Sequence, residues 1–183
     1  TPLYSSAASD VYKRQTPSYG TIKRVREAVR IAVYPIIRPR SMNYFYDADE
    51  WKIVLDDIAI CKELGCNGVS VGAQLQNGLI DEARMQQVVE LAYPMKVTCN
   101  RAFDAVPDPF AALETLIQCG CERVLTSGLA ASAPEGIPLL KQLVDAAKTA
   151  SVLCRVQVYV LLTLYNWPTK RAPSNFIRRH AKR

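Results

Sequence analysis

DADEWKIVLDDIAICKELGCNGVSVGA, residues 47–73, holds one complete helix–strand unit. Asp47 opens it as a helix cap, and Glu50, three residues on, completes a capping box. Trp51, Val54, Leu55, Ile58 and Cys61 then recur at helical spacing, which predicts one apolar helix face. Gly65 supplies the left-handed position that stops the helix. Val69 and Val71 follow in a short strand that ends at Gly72-Ala73.

The same alternation extends in both directions. Upstream, Ile31 to Ile37 is a β-branched run containing Pro35, and it ends in Arg38-Pro39-Arg40. Downstream, Asp81 caps a helix with Met85, Val88, Val89 and Ala92 on one face, and Met95 to Asn100 reads as a strand. Asp108 and Pro109 give an N-cap with proline at the first helical position, ahead of Leu113, Leu116 and Ile117, and Gly120 closes that helix. Glu122 to Leu125 is a strand and Thr126-Ser127-Gly128 a turn. Ile137, Leu140, Leu143, Val144 and Ala147 form the face of a last helix. Strand centres near 34, 70, 97 and 124 are one strand, one helix and two short loops apart, so four βα units in series predict a parallel sheet.

No G-x-G-x-x-G follows any strand and no G-x-x-x-x-G-K-[ST] occurs, which removes motif support for an open nucleotide-binding sheet. The expected fold class is therefore α/β, a partial TIM (βα)8 barrel of about four βα units with parallel strands. A closed barrel takes about 250 residues, so the 183 residues are expected to be a fragment.

Composition agrees with a globular chain. Apolar residues make up 49% and charged residues 22%, unlike the low hydrophobicity and high charge of disordered chains. The net charge of +6 is unevenly spread: +4 over residues 1–30, −5 over 31–150 and +7 over 151–183. The segment with the periodic pattern is acidic, so nucleic acid is not an expected partner. No apolar run approaches the roughly 20 residues that span a bilayer, so no membrane partner is expected either, and a cytoplasmic address is the default.

Three segments are expected. Residues 1–15, with Ser5 to Gln15 resembling the translation of a transposon sequencing adapter, are set apart as a disordered leader. Residues 16–150 form the partial barrel. Residues 151–183, basic and free of acidic groups, form a tail of uncertain origin that reads as unrelated or frame-shifted sequence.

Four motifs at successive strand ends carry a resemblance: Ile36-Ile37-Arg38-Pro39-Arg40, Asn67-Gly68-Val69-Ser70-Val71-Gly72-Ala73, Arg101-Ala102-Phe103-Asp104 and Arg123-Val124-Leu125-Thr126-Ser127-Gly128. In that order they resemble the copper homeostasis protein CutC family over about residues 16–150. The resemblance implies a cytoplasmic TIM barrel associated with copper tolerance and copper(I) binding. It also implies that the family's first two strands and a glycine-rich strand end after Ser151 are absent. The family usually carries His immediately before the Arg-Ala-Phe-Asp run, where this chain has Asn100, a residue that cannot exchange a proton near neutral pH.

TIM barrels bind ligands at the C-terminal face, so Arg38, Arg40, Asn100, Arg101, Asp104, Thr126 and Ser127 are expected to converge there. Arg38, Arg40 and Arg101, beside the hydroxyls of Thr126 and Ser127, suit a small carboxylate or phosphate ligand. Asp104 is the candidate general acid or base, with Asn100 beside it as the second candidate catalytic residue. The alternative is that the arginines and Asp104 pair with one another and fix the loops.

Of the six cysteines, Cys61, Cys66, Cys99, Cys119, Cys121 and Cys154, only Cys119 and Cys121 form a close pair. Two thiolates can hold copper(I), a soft ion, and this pair is the candidate metal site; burial as small apolar thiols is the alternative. Cys61 and Cys66 read as packing residues. Three functions remain open: copper(I) handling, an enzyme acting on a small anion, and an incomplete gene product without activity. Homo-oligomers, or self-association through open sheet edges, are expected of a partial barrel.

Overall fold

A computed structural model describes residues 14–149 and the backbone of 157–160. Residues 1–13 and most of residues 150–183, Cys154 among them, lie outside the described residues.

Helix α1 (Tyr19–Ala28) comes first, then α2 (Ala48–Glu63), β1 (Gly68–Val71), α3 (Glu82–Ala92) and β2 (Lys96–Cys99). A five-residue 3-10 turn (Arg101–Ala105) precedes α4 (Pro109–Gln118), β3 (Arg123–Thr126), α5 (Ile137–Thr149) and β4 (Gln157–Val160). The four strands are parallel and lie in chain order β1-β2-β3-β4. Strands and helices alternate along the chain with spatial neighbours consecutive, which is the build of an arc of a (βα)8 barrel.

The local signals act as their chemistry requires. Asp47 accepts from the N–H groups of Asp49 and Glu50, while the Glu50 side chain accepts from the Asp47 N–H, so the capping box is complete. Asp81 and Asp108 cap α3 and α4 through their side chains alone, accepting from Arg84 N–H and from the N–H groups of Phe110 and Ala111, with Pro109 inside the first turn of α4. Gly65 and Gly120 end α2 and α4 at φ +69° and +84°. Each stop carries the same pair of hydrogen bonds: Gly65 N–H to Lys62 O and Cys66 N–H to Cys61 O, then Gly120 N–H to Ile117 O and Cys121 N–H to Leu116 O. This is the Schellman arrangement, which brings the residue after the glycine back to the last turn.

Three elements differ from the sequence reading. The run expected as a strand near residue 34 makes one parallel bridge, Ile36 to Ser70, through Ile37 N–H to Ser70 O and Ser70 N–H to Pro35 O. Pro35 has no N–H for the next rung, so the pairing does not extend, and Asn67 substitutes by bonding Val33 through its side chain and its own N–H. Helix α1 has no counterpart in the sequence reading; its apolar side is thin, Ile22 and Val25 among mostly polar residues, and Ile22 alone within it is buried. β4 pairs with β3 inside the stretch set apart as a tail.

The core lies between the sheet and the helices. Val69, Val71, Val97, Cys99 and Val124 of the strands share one buried cluster with Val54, Ile58, Met85, Val88, Leu113, Leu116 and Leu143 of the helices. Each such side chain contributes roughly 1.5–3 kcal/mol by leaving water. Because strand side chains alternate, the intervening residues face the opposite side, toward the barrel interior. That fixes which side chains reach the site.

Candidate functional site

Register places the site. Ile36 pairs with Ser70, and Ser70 with Thr98, in one inward-facing row. Two residues further along each strand, the next row on the same side is Arg38, Gly72 and Asn100. This row marks the C-terminal rim of the sheet.

Arg38 is 5% exposed, and among the described residues no carboxylate pairs with it. Its Nη2 donates to Met42 O at 3.0 Å, and its guanidinium lies over the Tyr44 ring, 4.3 Å from the centroid. Its Nε has no hydrogen-bond partner. The Tyr46 hydroxyl faces the same guanidinium, is buried with its ring at 1% exposure, and makes no hydrogen bond of ordinary geometry.

Asn100, 2% exposed, caps the 3-10 turn through Oδ1, which accepts from Ala102 N–H at 2.9 Å, and leaves its Nδ2 unpartnered. Gly72 makes room for this: a methyl there would lie 2.5 Å from Asn100 Oδ1 and 2.6 Å from Ala102 Cβ. Burial pushes the Tyr46 phenol up to about 12 and raises Tyr44 as well, against the pull of Arg38, so both remain protonated donors near neutral pH.

The rim thus holds three buried donors without acceptors, one of them on a full positive charge. A buried charge without a partner costs several kcal/mol, and unmade hydrogen bonds add about 1–3 kcal/mol each. Groups of this kind are satisfied by acceptor oxygens.

The other expected residues are engaged with each other. Arg40 turns away from the interior and forms an ion pair through Nε with Glu50. It also donates to Asn43 Oδ1 at 2.9 Å and to Phe45 O, which fixes the 40–50 loop. That pairing raises the Arg40 guanidinium and holds the Glu50 carboxyl below its ordinary range.

Asp104 is ion-paired with Arg101 and accepts from Thr126 Oγ1, from Ser127 N–H at 3.1 Å and from Leu129 N–H at 3.1 Å. Arg101 Nη2 donates to Ser127 Oγ at 2.9 Å, and that hydroxyl donates to Ala130 O at 2.6 Å. Arg101, Asp104, Thr126 and Ser127 therefore form one closed network that ties the turn after β2 to the turn after β3. Of the seven rim residues expected from sequence, Arg38 and Asn100 keep side-chain atoms without partners inside the protein. Tyr44 and Tyr46 are absent from the sequence reading; their signal is the Tyr44-Phe45-Tyr46 alternation, which turns both tyrosines inward and leaves Phe45 exposed.

The cysteines are all buried and unpaired among the described residues. Cys119 caps α4 and its Sγ lies 3.7 Å from Glu82 O, whereas Cys121 follows Gly120 in the helix stop, where its backbone bonds Leu116. Burial pushes the Cys119 thiol to about 11, Cys99 to about 12 and Cys121 well upward; Cys119 adds to the rise of Cys99, and both add to that of Cys121. No group of three or more His, Cys, Asp or Glu placed to hold a metal ion occurs among the described residues. No helix among them is long and apolar enough to cross a membrane.

Comparison with known proteins gives a consistent answer. The profile of the CutC family matches residues 7–155. A mouse relative named copper homeostasis protein cutC homolog is 47% identical over 133 residues, 73% of this chain and 49% of its own. A CutC family protein of Parabacteroides distasonis is 47% identical over 133 residues, covering 72% of this chain and 55% of its own. This chain therefore spans about half the length of the curated relatives it matches. The crystal structure of CutC from Streptococcus agalactiae superposes with a TM-score of 0.74 at 29% identity, over 80% of this chain and 70% of that one.

Proposed function

The chain belongs to the CutC family, and from that premise we propose that its barrel rim binds a small carboxylate- or phosphate-bearing molecule. Arg38 is the charged anchor, with Asn100 Nδ2 and the Tyr46 hydroxyl as further donors. The observation that carries this is Arg38 itself: a buried guanidinium that, among the described residues, has no carboxylate partner and an unpartnered Nε, with the buried Tyr46 hydroxyl facing it and Asn100 Nδ2 unpartnered at the same rim. The Tyr44 ring under the guanidinium holds its plane and leaves its edge for paired oxygens. The charged groups that act on the Tyr44 and Tyr46 hydroxyls are chiefly arginines, so recognition rests on fixed charge and donors. Asp104 would have to leave its network before moving a proton.

Thermal unfolding with inorganic phosphate or acetate tests the reading. At ten times Kd a bound anion adds about 1.4 kcal/mol, which raises Tm by roughly 3–6 °C. Arg38→Met removes the unpaired charge while keeping an unbranched stem, so its own Tm should hold or rise and the ligand-induced shift should vanish. A wild-type chain unmoved by either anion, or a variant that responds equally, overturns the proposal.

A second reading follows the name of the mouse relative: copper(I) held by Cys119 and Cys121. What supports it is that Cys119 and Cys99 both act on the Cys121 thiol, which sets these sulfurs near one another. Metal would have to displace protons from dry thiols, so uptake should strengthen with pH. Competition for copper(I) against a chelator, lost on Cys119→Ser with Cys121→Ser, is the expected result, and uptake unchanged in that double variant contradicts it. Unpaired thiols suit a reducing, cytoplasmic setting. Among the described residues β4 is the last strand of the sheet, and an edge left open there suits association between copies, which concentration-dependent light scattering would detect.

A further inference from the structure

We infer that Cys61 and Cys66 are a reactive dithiol pair that closes reversibly to a disulfide at the end of α2, with Cys66 as the attacking sulfur. The sequence draws attention to Cys119 and Cys121, one residue apart, yet the helix stops favour a different pair. At the α2 stop the two positions that the Schellman arrangement brings together, the last-turn residue and the residue after the glycine, are both cysteines. At the α4 stop the same two positions are Leu116 and Cys121, so that thiol meets a leucine position.

The two sulfurs act on each other: burial raises both thiols, Cys66 adds to the rise of Cys61, and Cys61 works against the rise of Cys66. Arg26 reinforces the bias, since its Nε donates to Gly65 O at 2.7 Å and its charge acts on Cys66 against the effect of burial. Access is one-sided as well. Cys66 lines an open cleft of about 430 Å³ beside Asn67, Met95 and Lys96, whereas Cys61 is sealed in the core. Cys99 and Cys121 line neither this cleft nor the groove beside Val106 and Thr115.

The step needs an oxidant of the low-molecular-weight disulfide class. The Cys66 thiolate attacks one sulfur of oxidised glutathione, breaking its S–S bond and releasing one glutathione thiolate, which takes a proton from solution. Cys61 gives up its proton and attacks the Cys66 sulfur of the mixed disulfide, forming the Cys61–Cys66 bond and expelling the second glutathione. Two protein thiols are oxidised and one disulfide is reduced to two thiols, so electrons and protons balance.

Trypsin cuts after Lys62 and so separates the two cysteines, which makes the test direct. The folded full-length chain is treated with oxidised glutathione, alkylated, digested without reductant and mapped by mass spectrometry. The expected product joins residues 53–62 to residues 63–84, disappears on treatment with dithiothreitol, and forms while Cys99 and Cys121 stay unmodified until the chain is unfolded. In Cys61→Ala the reaction should stop with glutathione on Cys66. Glutathione retained on Cys66 in the wild-type chain, or both thiols still fully alkylatable after treatment, overturns the inference.

Discussion

Replacing Asp104 with asparagine separates a scaffold carboxylate from a reacting one. Asp104 is 10% exposed in its side chain and Arg101 24%, and their ion pair sits inside a network that also takes the Thr126 hydroxyl and the backbone N–H groups of Ser127 and Leu129. The substituted amide would keep one acceptor oxygen and turn its NH₂ toward groups that are themselves donors. Breaking a buried pair from one side costs about 3–5 kcal/mol, and the partial exposure of Arg101 argues for the lower end, about 3 kcal/mol. For a chain of this size that is a Tm drop of roughly 6–12 °C. The assay is thermal unfolding by circular dichroism at pH 7, with the Arg101→Met variant and the double variant measured beside it. The double variant should lose less than the two single losses combined, because each single change strands the other charge. A Tm within about 2 °C of the parent for Asp104→Asn, well inside the drop expected of a broken buried pair, would refute the scaffold role and return Asp104 to the candidate reacting groups.

Further outcomes follow from the thiols and from the rim glycine. Cys61 and Cys99, pushed up to about 12, and Cys119, pushed up to about 11, keep protons in the folded chain that the unfolded chain releases above about pH 9. The folded state binds more protons there, so stability is fully present below that pH and falls as pH rises, by about 1.4 kcal/mol per pH unit for each thiol, or roughly 4 kcal/mol per unit for the three near pH 10–11. Urea midpoints measured from pH 8 to 11 should fall steeply, and a flat profile would contradict the burial of these thiols. Gly72→Ala sets a methyl against Asn100 Oδ1 and Ala102 Cβ, so a loss of about 1–3 kcal/mol in urea unfolding, together with weakened phosphate binding, is expected; unchanged binding would separate Asn100 from the site.

Much of the fold is legible in the sequence because its signals are local. Asp47 with Glu50, Asp81, Asp108 with Pro109, Gly65 and Gly120 set helix limits through backbone hydrogen bonds made within a few residues. The run near residue 34 reads as a full strand because β-branched composition carries no record of the rung that Pro35 cannot make. Helix α1, capped at Ser18 with Ile22 and Val25 at helical spacing, escapes because the rest of its residues are mostly polar and charged.

The rim is legible in outline, as the polar ends of successive strands. Sequence does not divide those residues into a closed network and an open one. The division depends on reach across the fold: Glu50 takes Arg40, and Asp104 takes Arg101, Thr126 and Ser127. Arg38 remains without a carboxylate, and its surroundings are the tyrosines of a loop that sequence spacing alone does not connect to it. In the same way, sequence proximity singles out Cys119 and Cys121, while the helix stop at Gly65 joins Cys61 to Cys66.

The account rests on an unpaired buried guanidinium at the rim, and the arginine side-chain Nε–Hε resonances in a ¹⁵N–¹H spectrum report on it directly. On titration with inorganic phosphate the Arg38 resonance should move and saturate, while that of Arg40, held by Glu50, stays in place. A static Arg38 resonance across the titration would contradict the account.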